Sequence, residues 1–325
     1  MKILVTGGAG YVGSHSCKYF SQQGIQVVVL DNLSRGFREF VKWGPLIEAD
    51  VCDLSFCQET LKQNGPYDGV LHCAAYAYVS EGEQHPEMYF KNNVGGTTSL
   101  LRFIREQKIP KLVFSSSCTV YGEKVKPPVT VNHPLQPFSV YGQTKVFCEQ
   151  AIREAAKATG LKIGLVRYFN AAGNDAEGEV YERHEPELHL LPNIYRAAKT
   201  GNSLWINGKD YPTPDGTCVR DYVHVLDIAR AHQFAFDQLD QQADVVLNVG
   251  SGTGYSVSEV VDTFRKTMRK KVVTKFGKRR PGDIPAIFSD TTSGFKTTYS
   301  LEKIIESMVR GFDRAGYVPG ASSEG

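Results

Sequence analysis

The stretch that decides the fold is Lys2-Ile3-Leu4-Val5-Thr6-Gly7-Gly8-Ala9-Gly10-Tyr11-Val12-Gly13. An apolar, β-rich run leads into a group of glycines, and a helical pattern continues from there to about Gln23. Glycines permit a tight turn after a strand, and they let backbone N–H groups at the start of a helix approach a pyrophosphate. The spacing Gly7-x-x-Gly10-x-x-Gly13 is a variant of the dinucleotide-binding fingerprint. We therefore predict a strand, a glycine turn and a helix at a dinucleotide site.

The next apolar run, Val27-Val28-Val29-Leu30, ends at an acidic residue, Asp31. A carboxylate at that place accepts hydrogen bonds from both hydroxyls of an adenosine ribose and repels a 2′-phosphate. Arg35 follows closely and, taken alone, favours NADP. The position of the carboxylate makes NAD the better prediction. The other interpretation of Asp31 is a turn residue that simply follows a strand.

Strand and helix patterns alternate along the first half of the chain, which is typical of right-handed crossovers and a parallel sheet. We predict an α/β fold, in which residues 1–170 form a Rossmann-type, doubly wound parallel sheet. Residues 171–325 are predicted to form mainly a smaller mixed α/β substrate lobe, to which we assign a strand at 245–249, although segments of it can return to the first domain. Ligands gather at the carboxyl ends of parallel strands, where we find Asp31, Asp50, Ala74 and Ser115-Ser116-Ser117.

A tyrosine and a lysine stand four residues apart in the stretch Ser139-Val140-Tyr141-Gly142-Gln143-Thr144-Lys145. On a helix this spacing places both side chains on one face. The ammonium of Lys145 can then lower the pKa of the Tyr141 phenol from its usual value of about 10 and make it a general base. Such pairs also arise by chance on solvated helices. The preceding glycine fingerprint and the serine run favour the catalytic interpretation.

The composition excludes several classes of partner. The formal net charge is +2, which argues against nucleic acid. The locally basic run at 269–280 is interrupted by Val272, Val273 and Phe276, and we interpret most of it as a strand with a solvated face. No apolar run is long enough to span a bilayer, so we predict no membrane partner.

The seven cysteines are scattered and odd in number, without a Cys-x-x-Cys pair. They indicate neither a disulfide framework nor a zinc site, and we predict no metal. Their use suits a reducing cytosol. The amino terminus enters a strand directly, without a signal-peptide pattern. We therefore expect a cytoplasmic protein.

The motifs together resemble one known group of enzymes. Four of them resemble the extended short-chain dehydrogenase/reductase superfamily, namely the glycine spacing, Asp31-Asn32-Leu33-Ser34-Arg35-Gly36, Ser115-Ser116-Ser117-Cys118-Thr119-Val120-Tyr121-Gly122 and Tyr141-x-x-x-Lys145. Three later motifs narrow the resemblance to the UDP-glucose 4-epimerase family, namely Arg167-Tyr168-Phe169-Asn170, Asp210-Tyr211-Pro212-Thr213-Pro214-Asp215-Gly216-Thr217 and Val219-Arg220-Asp221-Tyr222-Val223-His224-Val225. The match runs from residue 2 to about residue 285.

The resemblance implies an isomerase that holds NAD tightly and recycles it. UDP-galactose and UDP-glucose would be interconverted by transient oxidation at sugar carbon 4, rotation of the 4-keto sugar and return of the hydride. Tyr141 would take the proton of the 4-hydroxyl, Ser117 would hydrogen-bond the 4-oxygen, and Lys145 would bind the nicotinamide ribose and tune Tyr141. It also implies a homodimer in which helices near 86–107 and 140–159 pair.

The residues predicted to bind the cofactor come from the fingerprint and from the resemblance. They are Gly7, Gly10, Tyr11, Val12, Gly13, Asp31, Asn32, Ser34, Arg35, Gly36, Asp50, Val51, Cys73, Ala74, Ala75, Ala77, Asn92, Ser115, Tyr141, Lys145 and Phe169. Ala77 stands where some members of the family have a lysine, so the contact there is expected from the backbone alone.

The resemblance also implies a set of substrate contacts. These are Ser117, Tyr141, Asn170, His189, Leu190, Trp205, Asn207, Arg220, Arg280, Asp283 and Ile287. The two arginines would bind the diphosphate, the backbone of Trp205 and Asn207 the uracil, and Asp283 the uridine ribose. Ile287 would lie beside the 2-substituent of the sugar. The alternatives are a strand-edge ion pair for Arg220 and a helix cap for His189.

Other functions of the same fold remain as alternatives. A nucleotide-sugar 4,6-dehydratase needs an acid beside the active-site serine, whereas Ser117 is followed by Cys118 and Thr119. An epimerase-reductase usually takes NADPH, which Asp31 disfavours. A cofactor-sensing protein with a dead site tends to lose the tyrosine or the lysine. Epimerases of UDP-N-acetylglucosamine or of UDP-uronates are the nearest variants. The family pattern also shortens after Asp290, which leaves the packing of the last helix open.

Overall fold

The computed structural model of the chain describes residues 1–55, 57–280 and 283–320. Its strands, in chain order, are β1 (Lys2–Thr6), β2 (Gln26–Asp31), β3 (Leu46–Glu48), β4 (Gly69–His72), β5 (Lys111–Ser117), β6 (Lys162–Tyr168), β7 (Asn170–Ala172), β8 (Leu204–Asn207), β9 (Val219–Arg220), β10 (Tyr222–His224), β11 (Asp244–Val249), β12 (Tyr255–Ser256), β13 (Thr274–Gly277) and β14 (Ala286–Ile287). Its α-helices are α1 (Tyr11–Gln22), α2 (Gln58–Asn64), α3 (Val79–Gln84), α4 (Pro86–Tyr89), α5 (Gly96–Glu106), α6 (Val140–Thr159), α7 (Leu190–Thr200), α8 (Val225–Gln238), α9 (Val257–Met268) and α10 (Leu301–Ala315).

Seven parallel strands form the central sheet in the order β11-β6-β5-β4-β1-β2-β3. Alternate residues of a strand point to opposite faces. Ile3 and Val5 accordingly belong to the core beneath α1 and α8, while Leu4 belongs to the core beneath α5 and α6. The strand order reverses at β1: β2 and β3 follow on one side of it, and β4, β5 and β6 on the other. Ligands bind at such a switch point between β1 and β4. The predicted Rossmann-type fold is confirmed.

Strand β11 belongs to the central sheet, although it was predicted to lie in the smaller lobe. Residues 245–249 were assigned to the smaller lobe, but β11 pairs with β6 at the edge of the central sheet. Helix α8 accompanies it and packs against α1, with the rings of Phe20 and Phe236 6.2 Å apart. An apolar strand pattern indicates that a segment is buried. It does not indicate which strand lies beside the segment, because sheet pairing is decided by distant residues.

Strands β9 and β10 are divided at Asp221. The side chain of Asp221 is fully buried, and its carboxylate accepts backbone N–H bonds from Ser251, Gly252 and Ser289. These bonds turn the chain, so that β9 joins β12 and β14 while β10 pairs with β7. The division leaves Arg220, the last residue of β9, at the central cavity.

The helix predicted over 86–107 is interrupted by a π-helical segment, Phe90–Gly95, between α4 and α5. This segment carries Asn93, which is buried. The amide of Asn93 accepts the N–H of Tyr76 at 2.8 Å and donates to the carbonyl of Tyr76 at 3.1 Å and to Thr144 Oγ1 at 3.0 Å. It thereby connects the loop after β4 to α6. Short π segments are frequently found at functional sites.

The smaller lobe has its own core, in which α7, α9 and α10 pack together. Helix α10 buries Ile305 and Met308 there, although the family pattern shortens just before it. The segment just before α10 is held by Asp227, whose carboxylate accepts the N–H groups of Thr298 and Tyr299. Among the described helices, none combines the length and the apolar character needed to cross a membrane.

Candidate active site

A cavity of about 940 Å³ opens at the carboxyl ends of the central strands. Most residues predicted to bind cofactor or substrate line it, namely Gly7, Gly10, Tyr11, Val12, Gly13, Asp31, Asn32, Ser34, Arg35, Gly36, Val51, Cys73, Ala74, Ala75, Ala77, Asn92, Ser117, Tyr141, Phe169, Asn170, His189, Arg220, Arg280, Asp283 and Ile287. Six others are not among the described residues that line it, namely Asp50, Ser115, Lys145, Leu190, Trp205 and Asn207. The structure therefore brings both halves of the predicted site into one space.

The glycine turn has no room for side chains at two of its positions. Gly7 has a φ of +72°, and a Cβ there would lie 2.6 Å from the backbone nitrogen of Ala74. A Cβ on Gly13 would lie 2.0 Å from the carbonyl oxygen of Gly7. At Gly10 the nearest atom would be 3.4 Å away, so its backbone is open to the cavity. The turn thus has the shape needed for a pyrophosphate at the N-terminus of α1.

The carboxylate of Asp31 stands at the end of β2, where a ribose is expected. It accepts the backbone N–H groups of Leu33 at 2.8 Å and Ala9 at 3.0 Å. Burial is the largest influence on this group and raises the pKa of Asp31, while the two backbone bonds oppose the rise. These bonds hold the carboxylate in place at the edge of the cavity.

Arg35, the residue that favoured NADP, is already paired. Its guanidinium forms an ion pair with Glu81 at 2.5 Å and lies over the rings of Tyr76 and Tyr78 at 5.3 and 5.5 Å. The ion pair supplies the negative charge that a 2′-phosphate would otherwise bring. Together with Asp31, this arrangement favours NAD.

Tyr141 and Lys145 lie in the first two turns of α6, which is capped by the Ser139 hydroxyl accepting the N–H of Gly142. Both side chains are buried. The ammonium of Lys145 donates to the carbonyl of Ser115 at 2.7 Å, and it lies 5.7 Å from the centre of the Tyr141 ring. Ser117 is the N-cap of the short 3₁₀ turn that follows β5 and faces the same cavity.

The expected lowering of the Tyr141 pKa does not occur in the protein alone. Burial raises the pKa of Tyr141 well above its ordinary value, and a hydrogen bond with Ser117 only partly opposes this. Burial likewise lowers the pKa of Lys145. The physical reason is desolvation, which disfavours the charged form of each group. Ionising the phenol therefore requires further positive charge in the cavity.

A buried ion pair that no sequence motif indicated fixes α6 to the sheet. Glu149, two turns after Tyr141, accepts from Arg167 at 2.6 and 2.9 Å and from the hydroxyl of Ser116 at 2.6 Å. The side chains of Glu149 and Arg167 are 2% and 4% exposed. Arg167 also donates to the hydroxyl of Tyr121 at 3.0 Å. The pair ties α6 to β5 and β6, whose carboxyl ends carry the site.

One wall of the cavity is built around Arg220. Its guanidinium donates to the carbonyl of Ile284 at 2.8 Å and pairs with Asp283 at 3.4 Å. Ile287, on β14, lies opposite Arg220 in the sheet register and is 4% exposed. The alternative interpretation of Arg220, a strand-edge ion pair, thus describes one of its contacts, while the residue also lines the cavity.

Several predicted contacts lie elsewhere. Trp205 and Asn207 belong to β8, where Trp205 is 61% exposed and its ring lies under the ammonium of Lys275. Asp50 accepts from the side chain of Asn32 at 3.3 Å. Leu190 begins α7 and packs against the core of the smaller lobe. His189 holds the N-cap position of α7, but its side chain makes no capping bond and instead contacts Glu187.

A Rossmann sheet with a glycine turn, an acid at the end of β2 and a Tyr-x-x-x-Lys pair beside a serine defines the class of short-chain dehydrogenases/reductases. Residues 3–250 match the model of the NAD dependent epimerase/dehydratase family, and the chain belongs to that family.

Individual relatives are similar over nearly the whole chain. The sequence is 42% identical to a UDP-glucose 4-epimerase of Rhizobium meliloti (strain 1021), over 94% of this chain and 95% of that one. The structure is similar to that of UDP-glucose 4-epimerase from Brucella ovis in complex with NAD, with a TM-score of 0.90, 40% identity and coverage of 96% and 98%. It is also similar to UDP-glucose 4-epimerase from Bifidobacterium longum in complex with NAD+ and UDP, with a TM-score of 0.91, 31% identity and coverage of 98% and 100%.

Proposed function

We propose that this protein is an isomerase, an NAD-dependent UDP-glucose 4-epimerase that interconverts UDP-galactose and UDP-glucose. The observation that carries the proposal is one cavity containing the glycine turn, Tyr141, Ser117 and the arginines 220 and 280. The names of the similar enzymes support the same activity. The shared cavity joins a dinucleotide site to a site for a charged, distant part of the substrate.

The described residues fit NAD at the glycine turn. Gly7 and Gly13 leave room for close backbone approach, and Asp31 presents its carboxylate where a ribose would lie. NAD, when bound, supplies the acceptor and donor of the hydride at sugar carbon 4. Its nicotinamide is positively charged when oxidised, which is the kind of charge that lowers the pKa of a buried phenol.

The proton chemistry belongs to residues of the chain. We assign to Tyr141 the acceptance of the proton from the 4-hydroxyl and its return to the 4-keto oxygen. Ser117 would hydrogen-bond the same oxygen. Lys145, whose ammonium is fixed by the Ser115 carbonyl, would hold positive charge behind the phenol. Asn93 and Glu149 are positioning residues, since their bonds fix α6 relative to the strand ends.

Substrate binding is proposed to rest on the diphosphate. An enzyme that returns hydride to either face of a sugar cannot hold the ring tightly, so its binding energy must come from a remote group. Arg220 and Arg280 face the cavity and carry the charge that a diphosphate requires. This arrangement leaves the 4-keto sugar free to rotate.

We expect Ile287→Ala to improve activity on UDP-N-acetylglucosamine relative to UDP-glucose. Ile287 lines the cavity and is stiff at its β-carbon, so it cannot move aside for a larger 2-substituent. Removing a clash of this size changes relative specificity by about 10–200-fold. The measurement is kcat/KM for both sugars in the wild type and the variant.

A control for this experiment is Ile305→Ala, which removes a fully buried isoleucine from α10 in the core of the smaller lobe. That variant loses stability without changing the ratio of the two activities. An unchanged ratio in Ile287→Ala would show that Ile287 does not contact the sugar, and the proposed orientation of the substrate would then be incorrect.

The direct test of the proposed function is incubation of the purified protein with UDP-galactose, without added NAD, followed by analysis of the sugars. We expect a mixture of UDP-galactose and UDP-glucose. Formation of a 4-keto-6-deoxy sugar would identify a dehydratase instead. If neither product forms, even with added NAD, the proposed interconversion of UDP-galactose and UDP-glucose is wrong.

Three further assignments belong to this proposal. We propose that residues 1–170 bind the cofactor, with α8 and β11 completing that layer, and that the rest mainly binds substrate. We also propose a homodimer formed through α4–α6, which the 49% exposure of Phe147 and its contact with Phe90 at 5.7 Å support. Sedimentation measures the mass of the protein in solution and so distinguishes a homodimer from a monomer. The seven free cysteines support a reducing, cytoplasmic location.

A further inference from the structure

We propose that Glu182, His184, Glu187 and His189 form a binding site for one divalent transition-metal ion such as Zn²⁺, in the wall of the cavity. These four residues, the His/Glu cluster, lie in the loop before α7 with the spacing Glu-x-His-x-x-Glu-x-His. Each offers one ligand atom, and all four atoms lie within 4.8 Å of one another.

The distances within the His/Glu cluster suit tetrahedral coordination. His189 Nδ1 lies 3.1 Å from a carboxylate oxygen of Glu182 and 3.1 Å from one of Glu187. His184 Nδ1 lies 3.5 and 3.6 Å from oxygens of the same two residues. Zinc bonds to nitrogen and oxygen of about 2.0–2.2 Å give a tetrahedral edge of about 3.3–3.6 Å. The four histidine–carboxylate separations, which involve both oxygens of Glu187, therefore lie near that edge length.

The charge of the His/Glu cluster also calls for a cation. The side chains of Glu182 and Glu187 are 2% and 0% exposed, and buried carboxylates are stable only when they are paired or bound to a metal. Among the described residues, no lysine or arginine forms an ion pair with either of them. The nearest arginine in sequence, Arg183, pairs with Glu39 and Glu185 instead. Within the described ranges, the groups at ion-pair distance from the two carboxylates are imidazoles.

Two polar atoms of the His/Glu cluster have no hydrogen-bond partner in the described part of the chain. They are Glu187 Oε2 and His184 Nδ1, and Glu187 is only 7% exposed. A second acidic group, Asp175, Glu177 and Glu179, shows the contrast, because the ammonium of Lys18 stands among its carboxylates at 2.5–2.9 Å. The acidic group at 175–179 thus holds an ammonium of the chain, whereas the His/Glu cluster keeps two atoms without a hydrogen-bond partner.

The chemistry of the donors selects the class of ion. Two imidazole nitrogens and two carboxylate oxygens suit Zn²⁺, Co²⁺ or Ni²⁺, whereas Ca²⁺ and Mg²⁺ take oxygen ligands. Burial lowers the pKa of His189, but its bonds to Glu182 and Glu187 outweigh burial and raise the pKa to about 10. The tyrosines 11, 78 and 317 also face the carboxylates, and their pKa values are raised, mainly by burial.

A bound ion would connect two parts of the cavity wall. The rings of His184 and Tyr11 meet edge to face, with their centroids 5.9 Å apart. Tyr11 directly follows Gly10 of the glycine turn. His189 is the N-cap of α7 on the substrate side. Coordination would therefore fix the loop at 182–189 between the cofactor turn and the smaller lobe, and it would stabilise the folded chain.

The test uses tag-free, full-length protein treated with chelator and then titrated with Co²⁺ and Zn²⁺. We expect one ion per chain and visible absorption bands of tetrahedral Co²⁺. The midpoint of thermal unfolding should rise with the metal. His184→Gln and Glu187→Gln each remove one ligand and should weaken binding by roughly 100-fold or more.

The matched control is Glu177→Gln, which removes a carboxylate from the group that Lys18 occupies and should leave Co²⁺ binding unchanged. Circular dichroism establishes that each variant is folded. Absence of tetrahedral Co²⁺ bands in the wild type, or equal binding in folded Glu187→Gln, would overturn the proposal. The His/Glu cluster would then be a network of protonated histidine and carboxylates that stabilises the loop without metal.

Discussion

Replacing Tyr141 with phenylalanine is expected to lower kcat for the interconversion of UDP-galactose and UDP-glucose by roughly 10²–10⁴-fold or more. The phenol is the only group that we assign to moving the proton of the 4-hydroxyl. The variant keeps the buried ring, which lines the cavity, so the fold and the bound NAD should be retained. The measurement combines turnover under saturating UDP-galactose with the NAD content of the denatured protein.

The control for this variant is Tyr19→Phe, which removes a phenol that does not line the cavity in the part of the chain that is described. Its turnover should equal that of the wild type. Turnover in Tyr141→Phe within threefold of the wild type would show that another group accepts the proton. Loss of NAD together with activity would instead indicate that the phenol mainly supports the cofactor.

Glu149→Gln is expected to lower the free energy of unfolding by about 3–5 kcal/mol, the usual effect of removing one partner from a buried ion pair. The substitution keeps the volume of the side chain but leaves the guanidinium of Arg167 buried without its carboxylate. The bond from Ser116 is weakened as well. Denaturation by urea at neutral pH gives the free energy.

The same helix provides a matched control. Glu154 forms an ion pair with Lys157 at 2.7 Å, and both side chains are 71% exposed. Exposed pairs contribute at most about 1 kcal/mol, because water solvates and screens them. Glu154→Gln should therefore change stability by less than that amount. Similar losses in the two variants would mean that the Glu149–Arg167 pair does not hold α6 to the sheet.

Local patterns predicted a large part of this structure correctly. The alternation of strands and helices led to the parallel sheet, and the glycine spacing led to the turn at its carboxyl edge. Each of these features depends on residues that are close in sequence. The break of the helix at Phe90–Gly95 was not predicted, because Asn93 bonds to Tyr76 and Thr144, which are distant in the chain.

The candidate site was predicted unevenly for the same reason. Asp31 and Tyr141 belong to short motifs with fixed spacing, so their place in the cavity followed from the sequence. The contribution of Glu149 depends on Arg167, eighteen residues away. The His/Glu cluster has a signal in the sequence, the spacing Glu-x-His-x-x-Glu-x-His, which the cysteine pattern does not reveal.

By itself, the sequence determined the fold class, the glycine turn, the acid after β2 and the Tyr-x-x-x-Lys pair, because backbone sterics and helical periodicity act over a few residues. Only the tertiary structure decided that β11 completes the central sheet, that Asp221 separates β9 from β10, and that the ammonium of Lys145 binds the Ser115 carbonyl. It also reversed the expected shift of the Tyr141 pKa. Desolvation and long-range pairing depend on which distant groups surround a side chain, and only the folded chain brings those groups together.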